Sequence, residues 1–397
     1  MEYQFRSKVL ESLGIRSWIN ARNWTSTIGG CWIDDRVLEA MNDVAKTFVD
    51  MFELFAKADE MVAKLCHVED AHITSGAAAA VELSVAACMA ENSLERWSRF
   101  PNTEGMRNEV VFPRSHYTAY APQWKVSGAK LVEYGQAGVL KSYKREIESL
   151  INEKTCCLSY TVSYNTSANG LIPLEEVIEI GKRNKIPVVI DCAGMLPPVS
   201  NLHKFTDMGV DIACFSGGKA IKAPSGTGII LGNGKGAEII ENLRNYSYPN
   251  DGWGRGHKIS KEEIVGLLAA LEIFVKEGDD QYDKQMKTAE YLVSEFADIP
   301  NVNAVVIPND ENFHEHPVVP HVPRVLVEWD PKKIKLSAKD MDKAMAMEDP
   351  PVYLKERHYS NYTTNKACRI IDTYFLRSGE EKIIAERMKR ILKENQA

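Results

Sequence analysis

The chain predicts an α/β protein, with a large domain on a mostly parallel sheet followed by a small C-terminal α+β domain. Three observations carry this. Short β-branched runs alternate with amphipathic helical stretches through the first two thirds of the 397 residues. The residues best able to do chemistry (Ser75, His116, Asp191 and Lys219) all fall at the C-terminal ends of such runs or just past them. Beyond a helical stretch at 283–297, the strands and helices turn short and mixed. Alternation of this kind builds a parallel sheet covered on both faces, and ligands gather at the C-terminal ends of its strands.

Composition narrows the function. Hydrophobic residues make up 44% and charged residues 26%, as in an ordinary globular chain. With 48 Lys and Arg against 55 Asp and Glu, the net charge of −7 argues against a nucleic-acid partner. Residues 1–8 are polar and lack the apolar run of a signal peptide. The most apolar stretch, 81–90, contains Glu82 and is too short to cross a bilayer, so no membrane partner is expected. Eight cysteines without a CxxC pair point to reduced thiols and a cytoplasmic protein.

Residues 5–13 read as a short helix, then come 15–20 and a turn-rich stretch, 21–31. Its Asn23, Thr25, Thr27, Gly29 and Gly30 suit an arm laid on a neighbouring subunit or direct substrate contact equally. Val37, Met41, Val44, Phe48, Met51 and Phe55 recur at helical spacing, giving one or two amphipathic helices over 34–65. A strand then ends at Thr74, and Ser75-Gly76-Ala77 opens an Ala-rich helix. Free N–H groups and the positive dipole end favour a phosphate there, and the small residues let it come close. A plain N-cap fits the same letters.

Residues 91–109, with Pro101 and Gly105, read as a loop before a strand at 110–112 and the triplet Arg114-Ser115-His116. The His116 imidazole suits lying flat on an aromatic ring or being half-buried with a satisfied hydrogen bond. Strands at 130–134, 156–162 and 188–191 alternate with helices at 143–151 and 174–184. The run 211–215 enters the turn Phe215-Ser216-Gly217-Gly218-Lys219, and a strand follows at 228–231. After a helix at 236–245, the loop 246–257 carries Arg255, with Lys258 just beyond. These two cations beside three glycines fit an anion grip or a solvated basic loop. A helix through Ile264, Leu267, Leu268, Leu271 and Phe274 closes the domain. Strands at 302–307, 324–329 and 351–354 and helices at 338–347 and 380–395 complete the chain. His314, His316 and His321 share no helical face and lack a completing cysteine or carboxylate, so no metal is expected.

The centre of the pattern is Asp191 at a strand end and Lys219 on the loop after the next strand, 28 residues on. A pyridoxal phosphate site needs this layout. The lysine supplies an amine for the Schiff base, and the carboxylate holds a proton on the pyridine nitrogen. A surface lysine and an N-capping Asp would spell the same two letters. The convergence of Ser75, His116, Asp191 and Lys219 on strand ends favours the cofactor.

Several segments resemble the PLP-dependent family that groups selenocysteine synthase (L-seryl-tRNA selenium transferase) with D-glucosaminate-6-phosphate ammonia-lyase. They are Trp18-Ile19-Asn20-Ala21, Ile73-Thr74-Ser75-Gly76-Ala77-Ala78-Ala79, Gly105 through Val111, Gly128 through Glu133, Phe215 through Ala220 and Lys258 through Leu267. The Gly105 and Lys258 segments look most like the lyase branch. The resemblance implies a fold-type-I PLP enzyme that forms a homodimer or higher homo-oligomer. The expected division is an N-terminal arm, 1–45, a large PLP-binding domain, 46–275, and a linking helix with a small C-terminal domain, 276–397. By position, Lys219 would carry the Schiff base, Asp191 would pair with the pyridine nitrogen, and His116 would stack on the ring. Ser75, Gly76 and Ala77, with Ser216, would hold the phosphate. Ala223-Pro224-Ser225 replaces the usual Gly-Pro-Gln and Arg114-Ser115-His116 the lyase-like Arg-Gly-His, which leaves the substrate open.

The expectation is a lyase that deprotonates Cα of an amino-acid-like substrate and eliminates a β-group, releasing ammonia and a 2-keto acid. Arg255, Lys258 and Arg369 are the candidates for holding that substrate. A transferase or racemase, including a selenium-transferase-like role, and a non-catalytic PLP-binding protein are the alternatives.

Overall fold

The computed structural model describes residues 3–135, 142–163, 171–307, 322–356 and 366–396. They divide into two compact units: 33–278, and a smaller one comprising 3–32, 279–307 and 322–396.

The chain opens with α1 (Lys8–Ser12) and β1 (Ile19–Ala21) of the smaller unit. The larger unit starts with α2 (Asp35–Ala45) and α3 (Met51–Cys66), each begun by an aspartate, Asp34 or Asp50, that accepts from first-turn N–H groups. β2 (Asp70–Thr74) leads into α4 (Ala77–Ala90), which is buried from its third residue to its last. Within the stretch read as a loop lies α5 (Leu94–Arg99), capped by Ser93 and anchored by buried Trp97. Its six residues are too few to display a helical period.

The alternation then continues through β3 (Glu109–Pro113), β4 (Lys130–Tyr134), α6 (Lys144–Leu150), β5 (Thr155–Thr161), α7 (Leu174–Asn184) and β6 (Val188–Asp191). α8 (Asn201–Met208), β7 (Ile212–Ser216), β8 (Gly228–Gly232), α9 (Lys235–Arg244) and α10 (Lys261–Glu277) finish the unit. The seven strands lie in the order β2-β8-β7-β6-β5-β3-β4. β8 runs antiparallel to both of its neighbours, and every other pairing is parallel. The C-terminal ends of β2, β3, β5, β6 and β7 therefore share one edge. α4 packs its Val81, Val85 and Met89 into the cluster formed with Val110, Phe112, Val189, Cys214 and Ile230.

The smaller unit continues with α11 (Gln281–Phe296), β9 (Val302–Ile307), β10 (Arg324–Trp329), α12 (Ala338–Met347), β11 (Val352–Leu354), β12 (Ala367–Asp372) and α13 (Glu380–Glu394). β12, β10 and β9 form an antiparallel sheet, and β1 pairs in parallel with β11. In that sheet Arg324 Nε meets Asp372 Oδ2 at 2.7 Å, both side chains fully enclosed. Among the described residues, no helix is long and apolar enough to cross a membrane.

Candidate active site

The lysine loop is shaped by close backbone contact. Gly217 N–H donates to Thr227 O at 2.9 Å, Ala223 N–H to Gly217 O at 3.0 Å, and Lys222 N–H to Lys219 O at 3.0 Å. A Cβ on Gly217 would stand 2.1 Å from Thr227 Oγ1, and one on Gly218 would stand 2.4 Å from Ser225 Cα. No side chain fits at either position, so the two glycines let the turn fold flat onto 224–227 and fix where Lys219 leaves it.

Asp191 ends β6 beside this turn, where its Oδ1 accepts the Ala193 N–H at 3.0 Å. Asp191 and Lys219 keep part of their surface open yet are deeply enclosed by protein. Burial lowers the Lys219 pKa from the ordinary 10.5, with Asp191 and Cys192 opposing the shift. Burial likewise raises Asp191 above the usual carboxylate range, against the pull of Lys219 and the Ala193 N–H. The two groups feel each other, but no ion pair within 4 Å joins them among the described residues. A buried carboxylate left in this condition gains most from a second cation brought to it.

The third wall is the start of α4. Gly76 stands at its N-cap position without a side-chain cap, and a Cβ there would meet nothing within 4 Å. The first-turn N–H groups thus have no side-chain cap, which suits an anion. Thr74 Oγ1 donates to Gly76 O at 3.0 Å, steadying the turn that carries half-buried Ser75. Thr74 and Ser216 flank Gly228 in register on either side of β8. A Cβ on Gly228 would sit 2.4 Å from Gly76 C and 2.6 Å from Ala77 N. Neither Gly228 nor Thr74 was singled out from sequence, although a glycine opening a β-branched strand marks a close backbone approach. Gly228→Ala should push the 76–77 peptide outward at about 1–3 kcal/mol of overpacking, and weaken PLP binding by about tenfold. Titrating apoprotein with PLP by absorbance checks this, and unchanged affinity would remove Gly228 from the cradle.

His116 lies in a single turn after β3 and is buried. Its Nδ1 accepts the Thr161 N–H at 3.0 Å, which leaves the ring proton on Nε2. The ring stands edge-to-face with Tyr160, centroids 4.6 Å apart at 89°. Thr161 in turn pairs with Asp191 across β5 and β6, and Val162 N–H donates to Asp191 O at 2.8 Å. The end of β5 thus connects His116 to Asp191. Thr161 offered no side-chain signal in the sequence, because its contribution is a backbone N–H.

The substrate candidates separate. Arg255 reaches the ring of Tyr248 at 5.0 Å, and Lys258 Nζ reaches the same ring at 5.9 Å. Asp251 Oδ1 lies 3.8 Å from Arg255 Nε on an exposed side chain, and among the described residues Lys258 has no carboxylate within 4 Å. Both precede α10, whose Glu263 lies beside Gly226 of the lysine loop. Arg369 belongs to the smaller unit, where its guanidinium grips both oxygens of Asp342, with Nε to Oδ1 at 2.6 Å. His314, His316 and His321 lie outside the described residues, and among those described no cluster of three ligands could hold a metal.

Comparison with known proteins decides the family. The model of the class V aminotransferases matches residues 39–318. The chain belongs to that family. As a class V aminotransferase-family protein its cofactor is pyridoxal 5'-phosphate, and the residues present fit it: an enclosed amine, an enclosed carboxylate and an uncapped helix N-terminus share one strand edge. A 5'-C-glycyluridine monooxygenase-decarboxylase from Streptomyces sp is 29% identical over 90% of this chain and 84% of its own length. The D-glucosaminate-6-phosphate ammonia lyase of Salmonella typhimurium is 26% identical over 96% of this chain and 97% of its own. A solved structure of a D-glucosaminate-6-phosphate ammonia-lyase superposes with a TM-score of 0.80 at 24% identity, covering 98% of this chain and 99% of that one. The L-seryl-tRNA(Sec) selenium transferase of Mannheimia succiniciproducens is 26% identical over 48% of this chain and 43% of its own length.

Proposed function

We propose that this class V family member is a PLP-dependent lyase that releases ammonia and a 2-keto acid from a small 2-amino-3-hydroxy acid or amino sugar acid. The observation that carries the reading is the enclosed Lys219 and Asp191 pair on the strand edge that also bears the open end of α4. The near-full-length similarity to an ammonia lyase supports the reaction type.

Bound there, PLP supplies an electron sink conjugated to the substrate's Cα. Ser75, the Gly76 and Ala77 N–H groups and Ser216 are assigned to its phosphate, Asp191 to the ring nitrogen and His116 to the ring face. Lys219, whose charged form burial disfavours, takes the α-proton as general base. The β-hydroxyl leaves with a proton as water. A second water then hydrolyses the product to the 2-keto acid and ammonia, so no water is gained or lost overall. Arg255 and Lys258 are assigned to an anionic group of the substrate. Arg369 would first have to release Asp342. The same reading takes the enzyme to be a cytoplasmic homo-oligomer, and eight free cysteines agree with a reducing compartment.

The test is a scan of 2-amino-3-hydroxy acids for coupled keto-acid and ammonia release by the PLP-loaded protein. A second reading, oxygen-dependent decarboxylation, is favoured by the relative of that name at 29% identity. Running the scan with and without oxygen separates them. The lyase keeps its turnover anaerobically, whereas a monooxygenase loses it and evolves carbon dioxide only in air.

The lowered pKa of Lys219 has a measurable sign. Capture of PLP needs the neutral amine, so its rate should climb with pH and level off below 10.5, the ordinary lysine value. Borohydride-fixed incorporation across a pH series, with Lys219→Ala as the blank, reads this. A rate still climbing at 10.5 would mean that Lys219 is not desolvated.

A further inference from the structure

α4 contains one charged residue, Glu82, in a helix otherwise made of Ala, Val, Leu, Ser, Cys and Met. Its side chain is 7% exposed. A carboxylate in that position is costly unless donors meet it. One loop supplies a donor and a potential cation: Trp253 Nε1 donates to Glu82 Oε1 at 3.0 Å, and His257 Nε2 lies 3.2 Å from the same oxygen, an ion pair when the imidazole is protonated. Trp253 also packs edge-on against Phe100, centroids 5.6 Å apart, and Tyr246 stacks on Trp97 at 4.6 Å. Gly254 lies so close to Ser247 and Leu83 that a Cβ would sit 2.8 and 3.0 Å from them. The loop is thus pressed onto α4 and tied to it at a single oxygen.

The tie brackets Arg255, with Trp253 before it and His257 after, and Lys258 is the next residue. We infer that Glu82 is a positioning residue that holds Arg255 and Lys258 over Tyr248, so that two cations converge on one anionic group. One helix then sets two things, because its uncapped N-terminus is the place assigned to the cofactor phosphate while its sixth residue aims the loop cations. Two like charges within 6 Å of one ring repel each other, and the loop would splay without an anchor. Glu82 touches neither substrate nor cofactor and acts through Trp253 and His257. This rests on the assignment of Arg255 and Lys258 to an anionic group.

The probe is inorganic phosphate, titrated calorimetrically into the PLP-loaded full chain with cofactor absorbance followed throughout. Arg255→Ala with Lys258→Ala should weaken phosphate binding by at least ~30-fold, and Glu82→Ala by about tenfold, as expected when a charge-assisted contact and its positioning are lost. Glu82→Gln keeps an acceptor for Trp253 and should recover most of the loss. Trp253→Phe, which removes only the indole donor, should weaken binding by about threefold. Glu82→Ala added to the double variant should cost nothing more, since residues acting through one another are not additive. A merely structural role would lower the Tm and leave phosphate affinity per folded, PLP-loaded molecule unchanged.

If Glu82→Ala and Trp253→Phe bind phosphate like wild type while the double variant does not, the positioning role is refuted and the cation assignment stands. If the double variant binds like wild type, that assignment fails and this inference with it. Should Glu82→Ala not fold, Glu82→Gln and Trp253→Phe decide.

Discussion

Lys219→Ala is expected to lose at least ~10³-fold in turnover, because one substitution would remove both the amine proposed to capture the cofactor and the base proposed to take the α-proton. PLP should still bind, more weakly, through the open end of α4, Ser216 and Asp191. Borohydride should then no longer fix it to the chain. Loss of turnover with retained binding separates a missing catalytic group from a collapsed pocket. The apoprotein supplies an independent sign. A lysine whose folded pKa lies below 10.5 gives up its proton on folding. Wild-type apoprotein should therefore gain stability as pH rises from the lowered pKa toward 10.5, and Lys219→Ala should lack that gain. Thermal melts of the two apoproteins across that range measure it. Turnover within a few-fold of wild type would end the assignment of Lys219.

Much of this architecture was readable locally. The helices 174–184 and 338–347 stand at the residues their periodicity indicates, because each buries one face, and the strand 130–134 stands where its short apolar run places it. α5, α8 and β12 escaped for physical reasons. The first two run for six and eight residues, too short for a period to emerge. β12 carries Arg369 and Asp372, charged residues that a strand tolerates only because Asp342 and Arg324 meet them from distant parts of the chain. The same limit applies to the site. Residue type and strand-end position single out Asp191 and Lys219, but nothing local says that Asp342 occupies the Arg369 fork. Nor does anything local say that Gly228 lies against the 76–77 peptide, or that Glu82 is met by Trp253. The pairing of Ile19 with Val352 joins the first strand to the smaller unit across almost the whole sequence, where no window of residues could display it.

Asp191→Asn isolates the electrostatic half of the site. Asparagine matches aspartate in size and can still accept the Ala193 N–H, so the end of β6 should keep its geometry. What disappears is the negative charge proposed to keep a proton on the ring nitrogen, and with it, on that reading, the ring's capacity to take up the electrons of the α-carbon. Removing one partner of an enclosed ion pair costs about 3–5 kcal/mol. On that scale kcat should fall by roughly 10²–10⁴-fold, while KM for the best 2-amino-3-hydroxy acid moves little, because the groups assigned to the substrate are untouched. The pKa directions agree with this view: burial alone drives Asp191 up toward its neutral form, and a ring cation against it would draw it back down. Reconstitution with a cofactor methylated on the ring nitrogen tests the cause directly, since its positive charge needs no proton and no carboxylate to hold it. Such a cofactor should recover a substantial part of the Asp191→Asn loss. No recovery, with the methylated cofactor fully bound, would mean that Asp191 serves the geometry of the strand end and not the charge of the ring.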